Sequence, residues 1–250
     1  MERITSRQNP FLKQIGKLNN SKSERRKAGM FPGEGPKLLE EAVKAGVEIA
    51  ATVSAEGFSV PVIPGARQVE VPREVLESLS DTRTPQGVLF LCALPGTKAP
   101  EVLEGERYLV LDGVQDPGNV GTIWRTADAL GADGLILVHS CADPFSPKTV
   151  RSTMGACFRL PVYEVEAADL PGLLSRSGLP LYATALRHDT VDIKTADLSR
   201  SAVVIGSEGK GISDELLAMC GKTLKIPMRE RCESLNAAAA ATIVLWQMGI

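Results

Sequence analysis

Three glycines surround a single carboxylate in the run Ile205-Gly-Ser-Glu208-Gly-Lys-Gly211, which directly follows an apolar stretch. Because glycine has no side chain, such a loop lets a ligand approach main-chain amides closely. The run is not a Walker A phosphate loop, because Lys210 is not followed by serine or threonine in the right frame. The pattern is also typical of a plain strand-to-helix turn, so it indicates a binding site only together with other loops.

A second loop of this type begins at Gly113 and contains Asn119 and Gly121 before a helix. Asn119 is a candidate cap for that helix, and Arg125 lies in the second turn, off the apolar stripe that is expected to be buried. The glycine spacing is not that of a dinucleotide-binding turn, and no acidic residue ends the next strand to hold a ribose. Dinucleotide binding is therefore disfavoured, and Arg125 is either a solvated surface residue or a functional cation.

The third loop runs from Lys225 to Asn236 and ends in Ser-Leu-Asn, immediately before an alanine-rich helix. Ser234 or Asn236 is a candidate N-cap, because a short oxygen-bearing side chain can accept hydrogen bonds from the first free N–H groups of a helix. All three loops follow apolar strands, and in a parallel sheet the carboxyl ends of the strands meet at one edge, where ligands bind. We therefore expect a small molecule at loops 113–121, 206–211 and 226–236.

Alternating strands and helices must position these loops. In the first part of the chain, helices are predicted over 6–20, 21–29, 37–45 and 73–80, and strands around 30–35, 48–53, 60–63, 68–71 and 87–94. After residue 107, strands are predicted over 107–113, 134–139, 161–165, 179–185, 201–206 and 223–227, and helices near 119–131, 147–157, 168–176, 212–220 and 235–248. Continuous apolar runs in the later strands predict a parallel sheet that is covered on both faces, and hence an α/β class.

A linker rich in proline and glycine begins at Pro95, so the chain is predicted to contain a small α/β domain over 1–94, a linker over 95–106 and a second domain over 107–250. Residues 1–30 carry a net charge of +6 although the whole chain carries −2. This basic end suggests contact with a polyanion, although charge alone fits a solvated helix face equally well. The basic residues are Arg3, Arg7, Lys13, Lys17, Lys22, Arg25, Arg26 and Lys27.

The cysteines are odd in number and scattered, without a CxxC pair, which is typical of reduced thiols in the cytoplasm. With only His139 and His188 as histidines, neither a zinc site nor a Ser–His–Asp triad is expected. No apolar segment follows Met1–Pro10 as a signal peptide requires, and no run is long enough to span a bilayer. His188–Asp189 is a weaker candidate for a substrate contact. Cys232 lies in the third loop but has no evident base beside it, so a catalytic thiol is disfavoured.

The motifs Asn119-x-Gly121-x-x-x-Arg125, Ile205-Gly-Ser-Glu-Gly209 and Ile226-Pro-Met followed by Ser234-Leu-Asn236 resemble, in order and spacing, those of the SpoU/TrmH family of RNA 2′-O-ribose methyltransferases, which belongs to the SPOUT superfamily. The resemblance covers residues 107–250. The stretches Glu34–Ala42 and Thr84–Gly87 resemble, more loosely, the substrate-binding domain of that family, which is similar to small RNA-binding ribosomal proteins.

The resemblance implies a C-terminal SPOUT domain with a trefoil knot, a homodimer, and S-adenosylmethionine (SAM) as the cofactor. From the residues themselves we expect no metal and no membrane. The cofactor contacts fall on Gly206, Ile226 and Leu235, largely through their backbone. The active-site positions fall on Asn119, Arg125, Glu208, Ser234 and Asn236. A guanidinium stays protonated, so we expect Arg125 to orient the ribose hydroxyl and stabilise the developing oxyanion or a nearby phosphate. A phosphate oxygen or Ser234 would then relay the proton.

The resulting hypothesis is SAM-dependent 2′-O-ribose methylation of structured RNA, with ribosomal RNA favoured because family members with this extra α/β domain commonly act on it. Two alternatives stay open. One is a tRNA 2′-O-ribose methyltransferase, and the other is an RNA-binding factor that acts without catalysis. Intact Asn119, Arg125, Glu208 and Asn236 favour an enzyme.

Overall fold

The computed structural model describes residues 1–187, 190–229 and 234–249, so the candidates His188, Asp189 and Cys232 lie outside the described residues. The chain divides into two compact units, the first formed by Met1–Pro95 with Asp143–Phe158, and the second by Gly96–Ala142 with the chain from Arg159 onward. The division drawn from the sequence stays a prediction. The segment 143–158, which it assigns to the C-terminal domain, packs with the first unit.

The first unit is built on a mixed five-stranded sheet in the order β1-β4-β3-β5-β2, in which β5 is antiparallel to both β3 and β2. Apolar side chains of helix α1 and of strands β3, β4 and β5 form its main core. The elements are β1 (Glu2–Arg3), α1 (Pro10–Asn20), α2 (Lys22–Ala28), β2 (Met30–Glu34), α3 (Pro36–Lys44), β3 (Ile49–Ala55), β4 (Arg67–Val71), α4 (Arg73–Leu79) and β5 (Val88–Ala93).

The strand predicted over residues 60–63 is wrong, because this stretch is irregular between β3 and β4. Pro61 and Pro64 have no N–H group to donate to a neighbouring strand. Val62 is 83% exposed, so the run also buries little apolar surface. An apolar composition alone therefore misidentified a surface connection as a strand.

Arg25 belongs to the interior of the first unit and not to its charged surface, which corrects its inclusion in the basic face. The side chain is only 4% exposed, forms an ion pair with Asp143, and donates a hydrogen bond to the Leu18 carbonyl. Nearby, the rings of Phe31 and Phe145 pack with their centroids 4.9 Å apart. These contacts hold the segment 143–158 to the helices and sheet of the first unit.

The second unit contains a seven-stranded sheet in the order β10-β12-β9-β11-β6-β7-β8, and every pairing among its strands is parallel. The parallel sheet and the α/β class are therefore confirmed. Its elements, together with α6 of the first unit, are β6 (Arg107–Asp112), α5 (Pro117–Ala129), β7 (Gly134–Val138), α6 (Pro147–Thr153), β8 (Val162–Glu164), α7 (Leu170–Ser177), β9 (Leu181–Ala183), β10 (Val191–Asp192), β11 (Ser201–Gly206), α8 (Asp214–Met219), β12 (Lys222–Lys225) and α9 (Ala237–Gln247).

The central strands β6, β7 and β11 are buried almost from end to end, as expected of parallel strands covered on both faces. Within the described ranges, no helix combines the length and apolar character needed to cross a membrane. In the same part of the chain, no group of three or more His, Cys, Asp or Glu side chains is arranged to hold a metal ion.

Candidate active site

The three candidate loops meet at the C-terminal edge of the parallel sheet. Strand β11 pairs with β6 in a register that places Gly206 opposite Asp112, so the loops that follow these two strands start side by side. Strand β9 lies on the other side of β11 and pairs in turn with β12, which leads into the third loop. The parallel arrangement thus brings together segments that are more than 100 residues apart in sequence.

A cavity of about 370 Å³ opens at this edge, between the loops after β9, β11 and β12 and the start of α9. Its volume falls within the range of about 300–1,000 Å³ that is usual for small-molecule sites. Gly206, Ile226 and Leu235, which the family resemblance implies as cofactor contacts, all lie in its lining. Glu208 and Ser234, suggested as active-site residues, line it as well.

The wall of this cavity is a tight hairpin from Ser207 to Gly211. The two residues exchange backbone hydrogen bonds of 3.0 Å and 2.9 Å, and Gly211 adopts a positive φ of 68°, which favours glycine. A Cβ atom at Gly206 would overlap the carbonyl group of Gly211 and the amide nitrogen of Ile212. Glycine at position 206 therefore allows the hairpin to fold back against its own strand.

A chain of hydrogen bonds joins Asn236, Asn119 and Glu208 beside the cavity. Asn236 caps α9, since its Oδ1 accepts hydrogen bonds from the amides of Ala238 (2.9 Å) and Ala239 (3.3 Å). This fixes its amide orientation, so Nδ2 donates to Oδ1 of Asn119 (3.2 Å). Asn119 must then present its own Nδ2, which donates to Oε1 of Glu208. The cap of one helix thus orients the carboxylate of a different loop.

Asn119 takes part in this chain because it is not the cap of its own helix, as the sequence suggested. The N-cap of α5 is Asp116, whose side chain accepts a hydrogen bond of 3.0 Å from the backbone amide of Asn119. Among the two candidate caps for α9, Asn236 performs that role. The Asn119 side chain is therefore available for a tertiary contact with Glu208.

Arg125 stands apart from this group in the single chain. It is exposed on α5, six residues beyond Asn119, which corresponds to about 9 Å along the helix axis. It forms no hydrogen bond or ion pair with any other residue of the described ranges. The Glu208 carboxylate accepts a hydrogen bond from Asn119 and not from Arg125. The Arg125 guanidinium thus keeps all its donors available for a ligand.

A second polar cluster at the same edge involves Asp112 and His139, which sequence reasoning did not connect. Asp112 is buried at the end of β6, and its Oδ1 lies 2.6 Å from Nδ1 of His139. The Oε2 atom of Glu215 lies 3.4 Å from the other ring nitrogen. The hydrogen bond with Asp112 raises the pKa of His139, burial opposes this, and Glu215 adds to it. The sequence signal that could have pointed to this cluster was the position of His139 directly after a buried strand.

The segment that holds these three loops matches a known protein family. The family model described as the SpoU rRNA Methylase family matches residues 106–246, which is more than half of the chain and includes all three loops. The chain belongs to the SpoU family. A second model, the MRM3-like substrate binding domain, matches residues 9–89 of this SpoU protein and so falls within the first unit.

Relatives of this SpoU protein match it over nearly its full length. It is 32% identical to the 23S rRNA (guanosine(2553)-2′-O)-methyltransferase of Bacillus subtilis, over 99% of each chain. It is 31% identical to the 23S rRNA (uridine(2479)-2′-O)-methyltransferase of Streptomyces viridochromogenes, over 98% of this chain and 91% of that one. The crystal structure of an AdoMet-bound rRNA methyltransferase from Sinorhizobium meliloti superimposes with a TM-score of 0.87 at 34% identity, over 99% and 97% of the two chains.

Proposed function

We propose that this SpoU protein transfers a methyl group from S-adenosylmethionine to a ribose 2′-hydroxyl of structured ribosomal RNA. The observation that carries the proposal is the hydrogen-bonded chain from Asn236 through Asn119 to Glu208 beside the cavity lined by Gly206. Ribosomal RNA is favoured because two relatives named as 23S rRNA 2′-O-methyltransferases match both units of the chain.

The cavity suits an adenosyl cofactor. It has apolar walls from Ile205, Leu224 and Ala237 and a polar rim at Ser207 and Glu208, and it opens to solvent at the sheet edge. Gly206 lines the cavity at the end of β11, where its backbone groups can form hydrogen bonds with an adenine ring. The cofactor supplies a methyl group that its sulfonium already activates.

The residues of the chain then have to orient the acceptor hydroxyl and manage one proton. Glu208 is held by Asn119 at the cavity, where its carboxylate can accept a hydrogen bond from a ribose hydroxyl. Ser234 lies in the same lining and is a relay for the proton, as is a phosphate oxygen of the RNA. Arg125 stays protonated, so it orients the hydroxyl or stabilises the developing negative charge and does not act as a base.

The first unit offers a basic groove for the RNA backbone. Helices α1 and α2 enclose a groove of about 550 Å³ that Lys13, Lys17 and Lys27 line together with Glu24. The three lysines are exposed and form no ion pair with any described residue. Unpaired ammonium groups on one face favour phosphate binding, which displaces counterions and makes the affinity depend on salt.

We expect the double variant Lys13→Gln/Lys17→Gln to weaken RNA binding and reduce the slope of log K against log salt concentration by about 1 to 2. Filter binding of 23S rRNA fragments between 50 and 200 mM salt measures this slope. The matched control is Lys37→Gln/Lys44→Gln, which removes the same charge from α3, away from the groove. Equal slopes for the two double variants would contradict an RNA-binding groove between α1 and α2.

The dimer implied by the family is best supported by α9. This helix exposes Ala239, Ile243 and Trp246 on one side, and Trp246 is 70% exposed although it is a large apolar side chain. Exposed apolar patches of this kind mark protein–protein contacts. We place the homodimer interface on this face of α9, and we place the trefoil knot of the family in the same C-terminal domain.

We expect Trp246→Glu to shift the protein from dimer to monomer, because buried tryptophans at interfaces commonly contribute about 2 kcal/mol or more. Light scattering after size exclusion, over a range of protein concentrations, measures the mass. Val102→Glu is the control, since Val102 is an exposed apolar residue of the same unit that lies outside α9. If Trp246→Glu forms a dimer of unchanged stability, this face of α9 is not the homodimer interface.

Cytoplasmic localisation is part of the proposal. Cys92, Cys141 and Cys220 carry thiols and not disulfides, as is usual in a reducing compartment. Burial raises the pKa of Cys141 and that of Cys220 to about 11, so both thiols stay protonated and unreactive near neutral pH. Ribosomal RNA would be met in the same compartment.

Transfer of labelled methyl from SAM to total RNA, followed by mapping of the modified nucleotide, tests the proposal directly. We expect one labelled site in 23S rRNA carrying a 2′-O-methyl group. A label in tRNA would establish the first alternative, a tRNA methyltransferase. Binding of RNA without any transfer, combined with an intact cellular role of the Arg125→Ala variant, would instead establish a non-catalytic RNA-binding factor.

A further inference from the structure

A second cavity, of about 570 Å³, lies at the C-terminal edge of the sheet next to the cofactor cavity. It is enclosed by the loops that follow β6, β7 and β11. The two cavities share Ser207, Glu208 and Gly211 as lining residues, so the short hairpin separates them. A ligand in the second cavity would therefore lie directly beside a ligand in the first.

The second cavity is built around a fixed imidazole. His139 adopts a positive φ of 57°, a backbone conformation that is uncommon for residues other than glycine. The side chain of Asp112 is 5% exposed and accepts two hydrogen bonds, one from the Ser213 amide (2.7 Å) and one from His139. Asp112 thus locks the imidazole to the end of the glycine-rich loop, while 35% of the His139 side chain stays exposed.

The chemistry of the lining fits a nucleobase better than a phosphate. Lys210 and His139 supply donors, but Asp112 and Glu208 bring negative charge that would repel a phosphate. Gln115 adds an amide with both a donor and an acceptor. Base edges carry donors and acceptors together, and proteins read unstacked RNA bases by such hydrogen bonds and by stacking on planar side chains such as histidine.

We propose that this second cavity receives the base of the nucleotide whose ribose is methylated, and that His139, positioned by Asp112, contacts that base and determines which base is accepted. The inference rests on the proposed methyltransferase function. In a nucleotide the 2′-hydroxyl carbon is bonded to the carbon that carries the base. A ribose at the shared wall, beside Glu208, would therefore direct its hydroxyl to the cofactor cavity and its base to the second one.

The test uses the full-length protein and 23S rRNA fragments that carry each of the four bases at the mapped methylation site. We expect the wild-type protein to prefer one base, as measured by the ratio of kcat/KM values between RNAs. In His139→Ala this ratio should fall about tenfold. The loss should appear mainly in KM for the preferred RNA, while the Kd for SAM stays unchanged. Base changes at the two neighbouring nucleotides should affect wild type and variant equally.

Two further variants separate base recognition from folding. His139→Asn keeps a side-chain donor and tolerates the left-handed backbone, so we expect it to recover part of the discrimination. Lys194→Ala, an exposed change outside both cavities, should match the wild type. If the wild type is active and His139→Ala keeps the same base preference, the inference about His139 is wrong while the proposed function stands. A wild-type protein that methylates no RNA overturns the proposed function and the inference with it.

Discussion

Replacement of Arg125 by alanine is expected to reduce the rate of methyl transfer about 10²–10³-fold and to leave the Kd for SAM unchanged. The size of the effect is that of removing one preorganised donor to a developing negative charge. Arg125 is exposed and has no partner among the described residues, so its donors are available to the RNA. Single-turnover rates at saturating SAM and RNA measure the loss, and calorimetry measures SAM binding.

The control for Arg125 is Arg176→Ala, which removes an exposed arginine from α7 in the same unit. We expect this variant to retain both the rate and the SAM affinity. Arg125→Lys should recover little of the rate, because an ammonium lacks the planar fork that holds two oxygens at once. Loss of SAM affinity in Arg125→Ala would make it a cofactor contact, and an unchanged rate would leave it a solvated surface residue.

The edge of the sheet at which the site lies could be predicted from the sequence. Continuous apolar strands imply a parallel sheet, and parallel strands place the loops at Gly113, Gly206 and Ile226 on the same edge. Each of these inferences depends on local pattern and on one topological rule. The family resemblance then added residue roles that pattern alone does not provide.

The side-chain partners at that edge could not be predicted. Asn119 was a plausible cap by type, but Asp116 occupies that position, and this frees Asn119 to contact Glu208. Whether a polar side chain caps its own helix or crosses to another loop depends on tertiary geometry that short-range spacing does not encode. The same is true of Asp112 and His139, which meet because β6 and β7 are neighbours in the sheet.

Substitution of Gly206 by alanine is expected to weaken SAM binding about 10- to 100-fold. The added Cβ would overlap the backbone at Gly211 and Ile212, and backbone cannot move aside as a flexible side chain can. Such a loss of affinity equals about 1.4–2.8 kcal/mol, which lies within the cost of about 1–3 kcal/mol that is typical of overpacking, if the hairpin opens to relieve the overlap. Calorimetric titration with SAM measures the change.

Gly209→Ala is the matched control, because the same methyl group at position 209, in the same hairpin, would meet no atom within 4 Å. We expect this variant to bind SAM as the wild type does. If Gly206→Ala also binds SAM normally, the cavity beside the hairpin is not the cofactor site. If both variants lose binding, flexibility of the whole loop matters and not the close approach at Gly206. A selective loss at Gly206 would tie cofactor affinity to the contact between the end of β11 and Gly211 that forms the wall of the cavity.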